Sequence, residues 1–255
     1  MLYSCLNFLC IMKGNKETVM TEEMAFQGFS KETVSFFNQL RRNNNKEWFE
    51  RHRDIYEAHV LEPAKAFVLA MGKRLRAISP NIIAVPKVNK SLFRINRDTR
   101  FSLDPSPYKT NLGILFWEGS RSRMKCSGFY FQIEPPKLIL GVGVYMFPDR
   151  LLDRFRRAVV HPKSGKELSQ IVKKISKMGE FELGGKHYKR VPAGFDRSHP
   201  NAELLLHNGL HAGRETDIPK ELFTPGLVDY CFEKYKPLVP LHKWLVAVTE
   251  RTSIA

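Results

Sequence analysis

Between Phe129 and Met146 the hydrophobic period of the chain switches from that of a helix to that of a strand. Phe129, Phe131 and Ile133 alternate with Tyr130, Gln132 and Glu134, and Leu138, Leu140, Val142, Val144 and Met146 alternate through the next run. A period of two sends successive side chains to opposite faces of a sheet, so each run predicts a strand with one buried face. Pro135 and Pro136 separate the runs and mark a hairpin. Roughly Lys90 to Ile95 and Thr110 to Trp117 predict two more strands.

Helical spacing lies on both sides of this block. Ser30 precedes Val34, Phe36, Phe37 and Leu40, and the run Asn43-Asn44-Asn45 stops that helix and offers a cap to the next. Trp48, His52, Ile55, Tyr56 and His59 recur at helical intervals. After Pro63 so do Ala64, Phe67, Val68, Met71, Leu75 and Ile78, ending at Ser79-Pro80. Beyond the strands, Leu151, Leu152, Phe155, Ala158 and Val159 form one apolar stripe. Ser164 with Glu167 reads as a capping box ahead of Leu168, Ile171, Val172, Ile175 and Met178. Gly184-Gly185 predicts the turn of a second hairpin over Phe181 to Val191, Pro200 opens a short helix through Leu206, and Thr224-Pro225 opens a C-terminal helical stretch. Helices, strands, helices, a hairpin and helices in that order predict an α+β fold, a largely antiparallel sheet with helices packed around it. No repeat or low-complexity linker divides the chain, so residues 24–255 are expected to form a single domain, with residues 1–23 a loose arm or an upstream extension.

Composition narrows the function classes. With 255 residues and 43% hydrophobic content the chain can bury a sizeable core. Its one long uncharged apolar stretch, Met1 to Met12, is too short to span a bilayer and lacks the charged flank and cleavage pattern of a secretory signal, so no membrane partner is expected. Cys5, Cys10, Cys126 and Cys231 show no paired spacing and read as free thiols of a reducing, cytoplasmic compartment. The net charge of +15 favours an anionic partner, which leaves nucleic acid, a phosphorylated small molecule and an acidic protein all open.

The densest cluster of reactive side chains is Phe93-Arg94-Ile95-Asn96-Arg97-Asp98-Thr99-Arg100-Phe101, followed by Asp104 and Pro107-Tyr108-Lys109-Thr110-Asn111. Arginine presents a planar fork that grips phosphate or carboxylate at two points, and Lys109 adds a point charge. Arg97, Arg100, Tyr108 and Lys109 are therefore candidates for lining an anion site, with Arg94 and Asp98 in support. In a straight strand Arg94 and Arg100 would project from one face and Arg97 from the other, so convergence requires a turn near Asn96. The competing structural role is that these arginines pair with Asp98, Asp104 or Glu134 and tie the sheet together. A second candidate surface is helical: Arg150, Arg154 and Arg157 lie opposite one apolar stripe, and Lys166, Lys173, Lys174 and Lys177 opposite the next. Such faces can follow a phosphate backbone, making a nucleic-acid-binding protein that uses Arg150, Arg154, Arg157, Lys173 and Lys177 the alternative function. No aromatic residues interleave there for base stacking.

Other chemistries find no signature. His207 and His211 are four apart, but Asn208-Gly209 between them ends a helix, so no metal site is expected. A P-loop is missing, Gly141-Val142-Gly143 lacks the following glycine of a dinucleotide fingerprint, and no nucleophile elbow is present, so no cofactor is expected. Gly141-Val142-Gly143 reads instead as a strand where small residues permit close packing.

Several segments carry a resemblance: Asn43-Asn44-Asn45-Lys46-Glu47-Trp48-Phe49, the Phe-Arg-Ile-Asn-Arg-Asp run with Arg100-Phe101-Ser102, Pro107-Tyr108-Lys109-Thr110-Asn111, Gly128-Phe129-Tyr130, Gly141 to Met146, Tyr188 to Phe195, and His199-Pro200. From about Phe26 to Glu250 the chain resembles a mostly bacterial family designated domain of unknown function 2461. It departs where the family tends to carry a lysine-rich loop and a third glycine, having Leu103-Asp104-Pro105-Ser106 and Val142 there. The resemblance implies a soluble single domain and brings no catalytic residue with it.

Overall fold

A computed structural model describes residues 25–100 and 102–250. The expected arm at 1–23, with Cys5 and Cys10, lies outside the described residues. Helix α1 (Lys31–Arg42) buries Phe36, Phe37 and Leu40 on the stripe that the spacing predicts. The three asparagines that follow divide their work. Asn43 closes α1, and Asn45 caps α2 (Lys46–Arg51) by accepting from the Trp48 amide at 2.9 Å. Asn44 reaches forward to the loop at Tyr108. Helix α3 (Arg53–Tyr56) runs through a π-helical turn, Glu57–Leu61, into α4 (Glu62–Leu75), whose Phe67 packs on Phe131 with ring centroids 4.6 Å apart. The wide turn leaves the His59 carbonyl open to the hydroxyl of Thr33, which donates to it.

The sheet has five strands in the order β1-β2-β3-β5-β4, every neighbouring pair antiparallel. They are β1 (Leu112–Glu118), β2 (Ser127–Glu134), β3 (Lys137–Val144), β4 (Glu182–Lys186) and β5 (His207–Asp217). The period-two runs become β2 and β3, joined at Pro135-Pro136 with Glu134 opposite Lys137. Phe129, Phe131, Ile133, Leu138, Leu140, Val142 and Val144 turn to one face, where all are buried. That face is covered by α4, by α5 (Asp149–Val160) and α6 (Pro162–Met178), which pack on each other, and by α7 (Leu227–Tyr235) and α8 (Val239–Glu250). Each buried phenylalanine or leucine there contributes about 1.5–3 kcal/mol through apolar area removed from water. The result is a single α+β domain, and no described helix is long and apolar enough to cross a membrane.

Three local expectations are corrected, and strand β5 is an element for which none was made. The segment from Lys90 to Ile95 is not a strand; it pairs with β1 through one isolated bridge, Leu92 to Ile114. Gly184-Gly185 is no turn: β4 runs through both glycines along β5, and the register shift between Gly184 and Lys186 is a bulge with Gly185 at φ 98°. Strand β5 alternates only weakly in sequence, with Leu210 and Ala212 facing the core and His211 and Gly213 the other side. Helix α6 starts at Pro162, ahead of the expected capping box, and the His161 side chain caps it by accepting from the Ser164 amide at 3.3 Å.

Candidate ligand cleft on the open sheet face

The face of the sheet away from the helices is hollow. Pairing partners share a face, so the register writes out its floor: one row across the strands reads Leu115, Tyr130, Gly141, Gly213, Glu182, and the next reads Trp117, Gly128, Gly143, His211, Gly184. Glycines thus occupy the middle of both rows, and a cleft of about 630 Å³ lies over them. This is within the range of roughly 300–1,000 Å³ common for small-molecule sites.

Its walls are aromatic. Tyr130 is fixed by a relay along β2: its hydroxyl donates to Gln132, whose amide donates to Glu134 at 2.6 Å. Burial, with Glu134 and Tyr145 nearby, pushes the Tyr130 phenol up to about 12. Gly113 leaves the space into which the Tyr130 hydroxyl and the Phe93 ring fit, and these two rings meet edge to face at 6.1 Å. On the far side, His211 leans over Gly184 and stacks on Tyr145 at 5.7 Å. Burial lowers the His211 pKa, against a smaller opposing effect of the Val144 carbonyl.

Phe93 joins the cleft to the arginine-rich loop. The Arg123 guanidinium lies 4.1 Å from the Phe93 ring centre and the Lys109 ammonium 5.6 Å from it. Arg123 donates to the Lys90 and Leu92 carbonyls, and Lys109 donates to the Arg94 carbonyl at 2.9 Å. Among the described residues none of the ion pairs supplies an acid to Arg94, Lys109 or Arg123. Burial lowers the Lys109 pKa, and the positive charges of Arg94 and Arg123 lower it further.

The remaining candidates of the loop are engaged within it. Arg97 is held by Asp104, the Ser106 carbonyl at 3.1 Å and the Ser102 hydroxyl at 3.1 Å. Arg100 makes a two-point pair with Asp98 at 2.9 and 2.7 Å, which holds that carboxyl down to about 2. Asn44 clamps the Tyr108 backbone, donating to its carbonyl at 2.8 Å and accepting from its amide at 3.0 Å, while the Tyr108 ring lies buried on Phe49 at 4.2 Å. The chain does bend at Asn96, which bridges to Tyr108. That bend brings Arg94 and Lys109 near each other, but Arg97 and Arg100 point into the loop's own acids, not into a hollow shared by all six residues.

The basic helix faces stand where the stripes place them. Arg150, Arg157, Lys173 and Lys177 are exposed, Arg154 is half-buried, and Arg157 pairs with Asp153 at 2.8 Å. Arg123, His211, Tyr130 and the glycine floor escaped the sequence reading. For Arg123 there was no local signal, since its partners come from a loop distant in sequence. The glycines shared the parity of Tyr130 along β2 and β3, which was the available clue.

Over residues 32–244, from α1 into α8 and including every residue named in the cleft, the chain matches the family model described as conserved hypothetical protein (DUF2461). The chain belongs to this family. No curated protein matches it.

Proposed function

We propose that this DUF2461 protein binds a small ligand bearing a phosphate or carboxylate, with Arg123 and Lys109 holding the anion at the mouth of the sheet cleft. Arg94 adds charge beside them, and the pairs Arg97–Asp104 and Arg100–Asp98, together with the clamped Tyr108, brace the loop that presents Arg94 and Lys109. The observation that carries the reading is the pair of cations over Phe93, Arg123 and Lys109, with the charge of Arg94 close enough to act on Lys109 and no acid joined to any of the three among the described ion pairs. Like charges gathered at the edge of a cleft repel one another, and an anion relieves that repulsion while accepting charge-assisted hydrogen bonds of about 1.5–3 kcal/mol each. Glycerol 3-phosphate, added against sodium chloride of equal ionic strength, is expected to raise the melting temperature, and Arg123→Gln, which also gives up the Lys90 and Leu92 hydrogen bonds, to remove the rise measured from its own unliganded melting temperature. No rise in the parent protein would overturn the reading.

A second reading rests on the exposed Lys173 and Lys177 of α6, to neither of which the described ion pairs supply an acid, together with Arg150 and Arg154 of the adjoining α5. It takes the protein as a non-catalytic nucleic-acid binder that follows a phosphate backbone.

A further inference from the structure

Five of the glycines on the open face divide into two kinds. A side-chain carbon on Gly143, which sits at φ 139°, would collide with the Leu210 carbonyl and the His211 backbone, and one on Gly128 would meet the Phe116 carbonyl. Gly184 is filled by the His211 ring. At Gly143 and Gly128 the backbone itself leaves no room for a side chain, and at Gly184 the His211 ring takes the space. Gly141 and Gly213 differ. They face each other across β3 and β5, and neither has positive φ. A carbon on Gly141 would meet only the Ala212 carbonyl at 3.7 Å and Tyr130 Cβ at 3.8 Å, both ordinary contacts. One on Gly213 would press on the Leu140 backbone carbonyl at 3.1 Å, a tighter contact than any at Gly141.

Glycine within a strand weakens it by roughly 0.5–1 kcal/mol relative to alanine, and more relative to a β-branched residue. Two such residues abreast in the inner strands, of which Gly141 has room for a side chain, keep a patch of bare peptide open to the cleft. Peptide groups in a sheet are flat, and around this patch stand the rings of Tyr130, Tyr145, His211 and Phe93, with Arg123 over Phe93. A flat group fits against such a floor while its edges meet aromatic walls.

We infer that the Gly141–Gly213 pair seats a planar aromatic or heteroaromatic ring whose anionic substituent reaches Arg123. The anionic half rests on the function proposed above; the seat rests on the two glycines. Tyr130 forms one wall, held by Gln132 and Glu134, and the His211 ring forms another from β5.

The probe is 1-anilinonaphthalene-8-sulfonate, an aromatic anion whose fluorescence rises in apolar surroundings. The parent protein is expected to bind it saturably. Gly141→Val should weaken that binding at least tenfold while melting at the same or a higher temperature, and Gly141→Ala, the smaller change, should weaken it less. Unchanged probe binding in both variants would overturn the seat, as would a change of oligomeric state by light scattering in Gly141→Val, which would make this face a protein interface. If Gly141→Val binds the probe normally while Arg123→Gln still loses stabilisation by glycerol 3-phosphate, the seat fails and the anion anchor stands. If Gly141→Val loses the probe and glycerol 3-phosphate stabilises nothing, the seat stands and the anchor fails.

Discussion

His242 Nε2 lies 3.1 Å from Glu118 Oε2, joining the end of β1 to the fully buried face of α8. Ser127 lies 2.9 Å from the other ring nitrogen of His242, and the Ser79 hydroxyl donates to Glu118. These contacts anchor α8 to the two strands that frame one end of the cleft.

Acid should undo this anchor. The His242 contact, then the Ser79 and Asn81 hydrogen bonds, hold the Glu118 carboxyl down at about 2 against burial, which acts to raise it from its ordinary 4.5. A depressed carboxylate stabilises the fold fully above its unfolded pKa and loses that contribution as pH falls through the folded one. The parent protein is therefore expected to lose roughly 1–2 kcal/mol between about pH 5 and pH 2 through this group, discounted for solvent screening. Urea titrations across that window should show Glu118→Gln less stable at pH 7 and flatter in its pH response; parallel pH curves would remove the assignment.

Removing one charge from the Phe93 cluster should separate stability from binding. Lys109→Gln relieves repulsion from Arg94 and Arg123, so the unliganded protein is expected to melt higher at low ionic strength, with the gain fading near 1 M salt, where the Debye length is about 3 Å. Stabilisation by glycerol 3-phosphate should fall in the same variant. Thermal melts at two salt concentrations check both.

The two glycine kinds predict opposite stability effects from one substitution. Gly143→Ala must strain a positive-φ backbone against Leu210 and His211, an expected loss of about 2–4 kcal/mol. Gly141→Ala meets ordinary contacts and should be neutral or stabilising by about 0.5 kcal/mol. Equal destabilisation by chemical denaturation would show that both positions need glycine for packing.

Asn44→Ala should cost more than Asn45→Ala. Asn45 provides a helix cap, worth about 1 kcal/mol. Asn44 satisfies both backbone groups of Tyr108, and losing it leaves a donor and an acceptor without their partner, about 2–3 kcal/mol. Denaturant midpoints of the two variants test the order.

Binding of a short oligonucleotide, if the basic helices are used, should weaken steeply with salt and weaken further in Lys173→Ala and Lys177→Ala. A flat salt response would exclude the second reading.

The sequence by itself determined the elements whose evidence is local. The apolar stripes of α1, α4, α5 and α6, the Asn45 cap and the β2–β3 hairpin follow from residues within a few positions of each other, and so does the α+β order. Tertiary structure alone decided the site. Whether Arg97 takes Asp104 or a ligand depends on how a loop bends, and Arg123 reaches Phe93 only because the chain returns from beyond β1. Gly141 and Gly213 become one floor through the register of β3 on β5, a pairing between segments distant in sequence, so the cleft has no counterpart in any single stretch of the chain.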